Sequence, residues 1–518
     1  MLNVSALWSA PQINPINHKA LSIPVLNPVN KYGRVFFFSW FSFFVAFWSW
    51  YAFPPLLSDV IAGDLKVSKT NVVANSNVIA LTATLVVRLI AGPCCDRYGP
   101  RLTFAGCLLA GAIPTFLAGT ISNAAGLYTI RFFIGILGAS FVPCQVWTTG
   151  FFDKDVVGTA NSLTAGLGNA GGGVTYFLMP AIYNSLHDRR HLSTHVAWRV
   201  SFVIPGIIIT CTALALLLCC PDSPTGKWAD RHRAVEHNLQ SHHIDGRVVP
   251  APTRAGNIPT IDRTPSHSEV DGDSDNKTEN AQDSSFAEDE AHLGEHQMLV
   301  TAQSEVIQAP TRREAMHVVL SLPTLVTAAC YFCTFGTELS VNSCLGMYYK
   351  KNFPHLSLQQ SGNYAAIFGI LNAVLRPLGG ALSDVAYRKT GSVWSKKILL
   401  HVYCVLTGVF CIVIGVTDSK HKATLVGLIS GGLAFFMEGA NGMDYSLVPH
   451  VHPHANGIVS GVTGAAGNLG GIVFAIVFRY NGTEYGKAFW IIGTVIIGVQ
   501  IAICWIRPVP NGQPSGCR

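Results

Sequence analysis

The chain has 518 residues, of which 49% are hydrophobic and only 12% are charged. Apolar runs long enough to cross about 30 Å recur along almost its whole length, which excludes a soluble globular protein and makes it a polytopic membrane protein. With a net charge of only +6, no nucleic-acid partner is expected, and the lipid bilayer is the main one.

Residues 1–34 form a tail in which Pro, Asn and isolated charges interrupt any secretory signal. Windows of about 19 residues place spans at roughly 35–57, 72–94, 102–122, 126–150, 157–184 and 197–220. Residues 222–315 change character: Asp, Glu, Ser, Thr, Pro and His dominate, aromatic residues are almost absent, and a disordered cytoplasmic linker is expected. Its seven histidines, His242 and His243 apart, are too scattered to hold a metal. A second group of spans follows at roughly 316–348, 361–383, 397–416, 423–448, 455–479 and 487–507, before a tail at 508–518. Two six-helix bundles result, 35–221 and 316–507; the even number of spans puts both termini on one side, expected to be cytoplasmic because no secretory signal is evident before the first span. Prolines such as Pro54, Pro143, Pro180 and Pro377 are tolerated in spans, where neighbouring side chains satisfy the freed backbone groups.

Fourteen cysteines are scattered through apolar spans without the spacing of a disulfide framework. Cys330 and Cys333 read as two small packing residues rather than a redox or zinc pair. No cofactor, no metal and no enzymatic activity is expected, since neither a nucleophile with its base nor a P-loop occurs. The sequon Asn481-Gly-Thr483 follows the eleventh span on the expected outside.

The most informative feature is a repeat 288 positions apart: Arg88-x3-Gly92-x3-Asp96 and Arg376-x3-Gly380-x3-Asp384. Each arginine lies inside an apolar span, where a guanidinium costs roughly 2.5 to 3.5 kcal/mol on insertion scales and is rarely kept for packing. Eight residues of helix are about 12 Å, which puts both arginines near the midplane if the aspartates mark a membrane surface. Transporters built from repeats bind substrate there. A planar, permanently charged fork suits a planar oxyanion, and the arginines alone give no more than that class.

Gly92-Pro-Cys-Cys-Asp96-Arg97-Tyr-Gly99-Pro-Arg101, between spans two and three, resembles the loop motif of the major facilitator superfamily, and Gly380 with Asp384 is its degenerate copy. The resemblance covers nearly the entire chain and implies an all-α integral membrane fold of 12 transmembrane helices in two pseudo-symmetric six-helix halves. Asp96, Arg97, Arg101 and Asp384 are then expected to gate alternating access through charge-assisted bonds that exist in one conformation only.

Span five carries Thr164-Ala165-Gly166-Leu-Gly168-Asn169-Ala-Gly171-Gly172-Gly173, and span eleven carries Gly467-Asn468-Leu-Gly470-Gly471. Such glycines make a smooth face for close approach of another helix, expected to be arginine helices two and eight, with Asn169 and Asn468 offering amides there. These stretches resemble the signature of the nitrate/nitrite porter family, in particular its fungal high-affinity members. That resemblance implies nitrate, and possible nitrite, bound by Arg88, Arg376, Asn169 and Asn468, with aromatic walls drawn from Tyr331 and Phe335 and, less directly, Phe47 and Phe141. It also implies proton symport at the plasma membrane; a monomer is the expected state. An anion entering a negative interior works against roughly 2.3 kcal/mol per 100 mV, so uptake needs a coupled gradient; Glu338, Glu438 and Asp444 are the intramembrane acids that could carry protons. A nitrate/nitrite exchanger, an organic-anion or drug porter of the superfamily and a non-transporting sensor remain open.

Overall fold

The computed structural model describes residues 4–67, 69–154, 156–231, 233, 237–238, 312–356 and 358–510. Among them β structure is limited to isolated bridges, and twelve long helices carry the chain. In order these are α1 (Lys31–Leu56), α2 (Asn75–Tyr98), α3 (Pro100–Thr120), α4 (Ala124–Phe151), α5 (Val157–Asn184), α6 (Thr194–Cys219), α7 (Leu322–Asn352), α8 (Gln360–Thr390), α9 (Val393–Thr417), α10 (Lys422–Val451), α11 (Asn456–Asn481) and α12 (Tyr485–Ile503). All but α5 are long and apolar enough to cross a membrane, α7 when taken with the short helix before it. In α5, six glycines and three asparagines dilute the apolar residues, yet most of its side chains are buried.

Caps decide where several helices begin. Asn30 accepts from Tyr32 N and starts α1 four residues ahead of the expected 35. The seventh span, expected to run unbroken from 316, is instead a short helix, Arg312–Val319, set at 51° to α7. The break follows from Ser321, whose hydroxyl accepts from Thr324 N, and from Pro323 in the first turn of α7.

The two halves repeat one packing plan. Within the first, α1 packs on α5, α2 on α4 and α3 on α6; within the second, α7 packs on α11, α8 on α10 and α9 on α12. Between the halves the main contacts are α2 with α11 and α5 with α8. The glycine-rich helix of each half thus lies against the arginine helix of the other, as the small-residue faces predicted. Equivalent glycines allow it: a Cβ on Gly92 would sit 2.6 Å from Gly457 O, and one on Gly380 would sit 2.6 Å from Gly158 O.

The expected polar linker does not begin as a free chain. Its first residues turn back through a bridge between Ser223 and Gly226, and Trp228 donates from Nε1 to Asp96 O at 3.0 Å. The indole covers Gly99, whose φ of +92° and lack of a Cβ both suit glycine at the α2–α3 turn. Residues 239–311, with His242, His243 and most of the segment expected to be disordered, lie outside the described residues. The first tail also packs: Ala20 pairs with Phe152, and the Tyr32 hydroxyl donates to His18 O.

Candidate functional site

The two repeat arginines are fully buried and meet between the halves. Arg88 on α2 donates from Nε to Gly138 O and from Nη1 to Gly464 O, both at 2.9 Å. Among the described residues no carboxylate lies within ion-pair distance of it. Arg376 on α8 donates from Nη2 to the Tyr331 hydroxyl and from Nη1 to Asn372 Oδ1 at 3.4 Å, with Glu338 Oε2 3.7 Å away. Its Nε has no hydrogen-bond partner among the described residues.

Three rings frame the space beside these cations. Tyr331 and Phe335, one turn apart on α7, lie nearly coplanar in orientation at 7° with centroids 4.8 Å apart. Phe141 of α4 faces them across the gap, parallel to within 11°, at 6.1 Å from Tyr331 and 6.4 Å from Phe335. Arg88 lies 5.0 Å from the Phe141 centroid and 5.3 Å from Phe335; Arg376 lies 5.6 and 5.7 Å from the same two rings. A planar group held between two faces at van der Waals contact needs about 7 Å, two separations of about 3.5 Å. The centroid separations are upper limits on the gap between the faces, so in this conformation the rings lie closer than that and part by about an ångström or more to admit a planar group. Tyr445 closes a side, edge-on to Phe141 at 4.6 Å.

The signature asparagines differ. Asn468 Nδ2 is tied to Gly464 O, the carbonyl that Arg88 also uses. Asn169 is 5% exposed, and neither of its amide atoms has a hydrogen-bond partner among the described residues. It borders a cavity of about 20 Å³, the size of about one water, lined also by Phe47, Tyr51, Tyr176, Glu338 and Asn372. Of the two aromatic positions ranked lower from sequence, Phe141 stands between the arginines, whereas Phe47 borders this cavity and stacks on Trp50. The signature glycines hold the geometry from behind. A Cβ on Gly168 would strike Phe43, and one on Gly467 would approach Tyr331 and Phe335 to 2.6 and 2.8 Å. One on Gly166 would meet Asn372 O at 2.6 Å, next to Arg376. Gly171 and Gly470 abut the backbones of Phe44 and Phe332, Gly172 faces Tyr51, Gly173 faces Gly369, and Gly471 faces Leu339.

The acids expected to carry protons are all buried. Glu338 and Glu438 lie together beside Arg376, while Asp444 has both carboxyl oxygens without a hydrogen-bond partner among the described residues.

At one end of the bundle the motif aspartates cross between the halves. Asp96 accepts from Gly457 N and Ile458 N, both at 3.1 Å, in the first turn of α11. Asp384 accepts from Thr159 N at 2.6 Å and its hydroxyl at 2.8 Å, in the first turn of α5, and pairs with Lys396 at 2.9 Å. Each carboxylate thus caps the glycine-rich helix of the opposite half, where free N–H groups and the helix dipole favour an anion. This corrects the expectation that nearby arginines supply the partners of Asp96. Arg97 is exposed and lies over Tyr98, and Arg101 pairs with Asp222 at the start of the linker. Helix ends give Asp96 better-aimed donors than those long side chains do.

Sequence reading passed over a third buried arginine. Pro54 has no N–H to offer Trp50 O four residues back; Arg131 Nη1 donates to that carbonyl at 2.9 Å, its Nε to Ser76 Oγ and its Nη2 to Asn77 Oδ1. The signal was present, since Arg131 lies in an apolar span as Arg88 does, but it has no copy in the second half. Tyr445 and Asn441 carried no local signal.

A helical bundle of two like halves, with buried cations at their interface and a crossed set of bonds closing one end, is the architecture of a secondary transporter. Residues 39–475 match the family model of the Major Facilitator Superfamily, and the chain belongs to that superfamily. It is 46% identical to Elsinochrome transporter 1 of Elsinoe fawcettii over 98% of this chain and 99% of that one. It is 28% identical to High affinity nitrate transporter 2.5 of Arabidopsis thaliana, over 94% of this chain and 82% of the relative. Among solved structures, the proton:xylose symporter XylE shares the fold with a TM-score of 0.62 at 12% identity, covering 93% of this chain and 96% of that one.

Proposed function

We propose that the protein imports nitrate, and nitrite as a further substrate, by alternating access driven by protons. The observation that carries this reading is the slot in which Arg88 and Arg376 share Phe141 and Phe335. Two guanidinium groups offer fork-shaped donors in the plane of a trigonal oxyanion, and parallel rings cover its two faces. The similarity to nitrate transporters over nearly the whole chain supports the same substrate class. Arg88, Arg376 and Asn169 bind the anion in this reading, Tyr331, Phe335 and Phe141 wall it, and Asn468 orients Arg88 through their common carbonyl. Phe47 and the cavity beside Asn169 lie on the route in.

With the Asp96 and Asp384 end cytoplasmic, the crossed caps form the inner gate and hold it shut. The termini are then cytoplasmic, the transporter works as a monomer in the plasma membrane, and Asn481 lies outside. Glu338, Glu438 and Asp444 are the acids available for protons.

A second reading has one observation behind it: the 46% identical relative is named for elsinochrome. Parallel rings with centroids only 6.1 to 6.4 Å apart, and a cavity of about 20 Å³ next to Glu338 and Asn372, favour a substrate of a few atoms. The test is whole-cell current and labelled nitrate uptake in a heterologous host at fixed voltage, at pH 5.5 and pH 7.5. Nitrate-dependent inward current that grows at acid pH is expected. Uptake without current means exchange or electroneutral coupling, and neither current nor uptake means another substrate or a sensor.

A further inference from the structure

Helices α7 and α10 bring two acidic side chains together next to one of the slot arginines. Glu338 is 3% exposed and Glu438 is fully buried. Glu338 Oε1 accepts from Asn372 Nδ2 at 2.6 Å, and its Oε2 accepts from Asn441 Nδ2 at 2.8 Å. The Asn441 amide also reaches Glu438 Oε2 at 3.4 Å, so one side chain clamps both acids. The shared amide makes the two carboxyl groups neighbours that act directly on each other, and Glu438 Oε1 has no hydrogen-bond partner among the described residues. Ionised carboxylates only accept hydrogen bonds, so this contact is satisfied when one proton sits between them.

The surroundings set the charge balance. Arg376 of α8, with Nη1 3.7 Å from Glu338 Oε2, is the cation that faces both acids, and Arg88 of α2 acts on Glu338 from across the slot. Tyr51 of α1, Tyr331 of α7 and Tyr176 of α5, which shares the small cavity with Glu338, are the other titratable groups around it among the described residues. Two acids holding one proton balance Arg376, and Arg88, with no carboxylate within ion-pair distance among the described residues, carries the charge that an anion meets. An anion that takes up the unpaired Nε and a terminal N–H of Arg376 competes with Glu338 for the same cation. With Arg376 drawn toward the anion, Glu338 loses its nearest cation, and a buried carboxylate without its counter-ion is neutralised most directly by a further proton.

We infer that Glu338 and Glu438, clamped by Asn441, form a shared proton site linked to the substrate site through Arg376. The proton arrives from the side to which the slot is open, as the anion draws Arg376 away from Glu338. It leaves to the other side when the anion departs and Arg376 returns. Linkage makes the effect reciprocal: if the anion favours the added proton, the proton tightens the anion by the same factor. This inference rests on the reading of proton-coupled nitrate import and accounts for one of the two or more protons per anion that an inward current requires.

The experiment compares the full-length protein with Glu438→Gln and Glu338→Gln in proteoliposomes, using labelled nitrate. Three quantities are read: protons moved per nitrate, the KM at pH 5.5 and 7.5, and nitrate exchange without a proton gradient. The proton-to-nitrate ratio does not depend on how much protein survives reconstitution. For the unaltered protein KM should rise about tenfold between the two pH values, the size of a coupling of one to two kcal/mol. In Glu438→Gln that rise should shrink to less than about twofold and the proton ratio should fall, with exchange still detectable. Glu338→Gln should do the same, and Glu338→Asp should recover part of the proton ratio. Unaltered proton ratio and pH slope in both Gln variants overturns the inference. So does loss of exchange together with accumulation in both, since the pair is then structural. If the unaltered protein moves no nitrate at either pH, the import reading itself fails, and this inference with it.

Discussion

Arg88 and Arg376 occupy equivalent places in the two halves, but their surroundings are not equivalent. Arg88 is held by two backbone carbonyls, Gly138 O and Gly464 O, which cannot change charge. Arg376 is held by side chains, Tyr331 and Asn372, with Glu338 close by. The signature asparagines differ in the opposite sense: Asn468 is bonded to Gly464 O, whereas Asn169 has both amide atoms without partners among the described residues. A duplicated scaffold thus presents a fixed cation on one side and a cation coupled to titratable groups on the other. In the proposed reading the symmetry supplies two guanidinium groups for one anion, and its local breakdown gives the second half a route for protons.

The largest expected effect tests the symmetric part of this contrast. Arg88→Lys and Arg376→Lys should each lower kcat/KM for nitrate by about 10- to 100-fold or more, because a lysine keeps the charge but loses hydrogen bonds to a charged partner worth about 1.5–3 kcal/mol. The two variants should part in their pH response. Arg88→Lys should keep the acid stimulation of whatever uptake remains, and Arg376→Lys should lose it. Identical pH profiles from labelled nitrate uptake would erase the distinction drawn between the halves, and near-normal uptake by either would remove that arginine from the site.

The next effect is smaller and sharpens the comparison from the asparagine side. Asn169→Ala removes an amide that bonds nothing else among the described residues, so its loss should appear mainly as a KM increase of about 5- to 10-fold, one hydrogen bond of about 1 kcal/mol or a little more. Asn468→Ala leaves Gly464 O still bonded to Arg88 and should shift KM by about threefold or less. Equal or reversed effects in a concentration series would mean that Asn468 turns to the anion and Asn169 does not.

The part of the structure that repeats is the part that was readable in the chain. The arginine spacing, the glycine seams and the count of six plus six spans recur at fixed offsets, and helix depth follows from 1.5 Å per residue. Pairing glycine faces to arginine helices followed from which helices must approach closely. What could not be read joins residues far apart by no local rule. Asn441 meets Glu338 over 103 positions, and Arg101 chooses Asp222 over the adjacent Asp96 because the first turn of α11, 361 positions on, supplies better donors. Phe141 was placed beside Phe47 in rank because aromatic residues are common in spans, and its distinction comes from facing Tyr331 across the halves. Arg131 meets the same criterion as Arg88, a guanidinium inside an apolar span, but it lies outside the repeat and has no copy in the second half.

The smallest expected effect concerns a pair of staples at the loop level, one in each half. In the first half Asp64, between α1 and α2, accepts from Trp198 Nε1 at 3.0 Å, Arg199 Nη1 at 2.9 Å and the His195 ring. In the second, Asp418, between α9 and α10, accepts from the Tyr348 hydroxyl at 2.8 Å, Asn352 Nδ2 at 3.0 Å and Lys420 Nζ at 3.1 Å. Burial alone would push both carboxyls up, but these hydrogen bonds, with the neighbouring Arg199 and Lys420 charges, outweigh it and hold both below the ordinary value of 3.8. A depressed folded value means that each staple contributes its full stabilisation above the unfolded value and loses it as pH falls through the lowered one. Asp64→Asn and Asp418→Asn should therefore lower Tm at pH 7, and the difference from the unaltered protein should narrow as the pH is taken below about 3.8. Asp64 is the less exposed of the two side chains, 13% against 33%, and its cation Arg199 is 12% exposed where Lys420 is 62% exposed. Screening by water weakens the second staple more, so Asp64→Asn should cost the larger shift in Tm. The reverse order in a detergent thermal melt would mean that Tyr348 and Asn352, rather than the ion pair, carry the second staple.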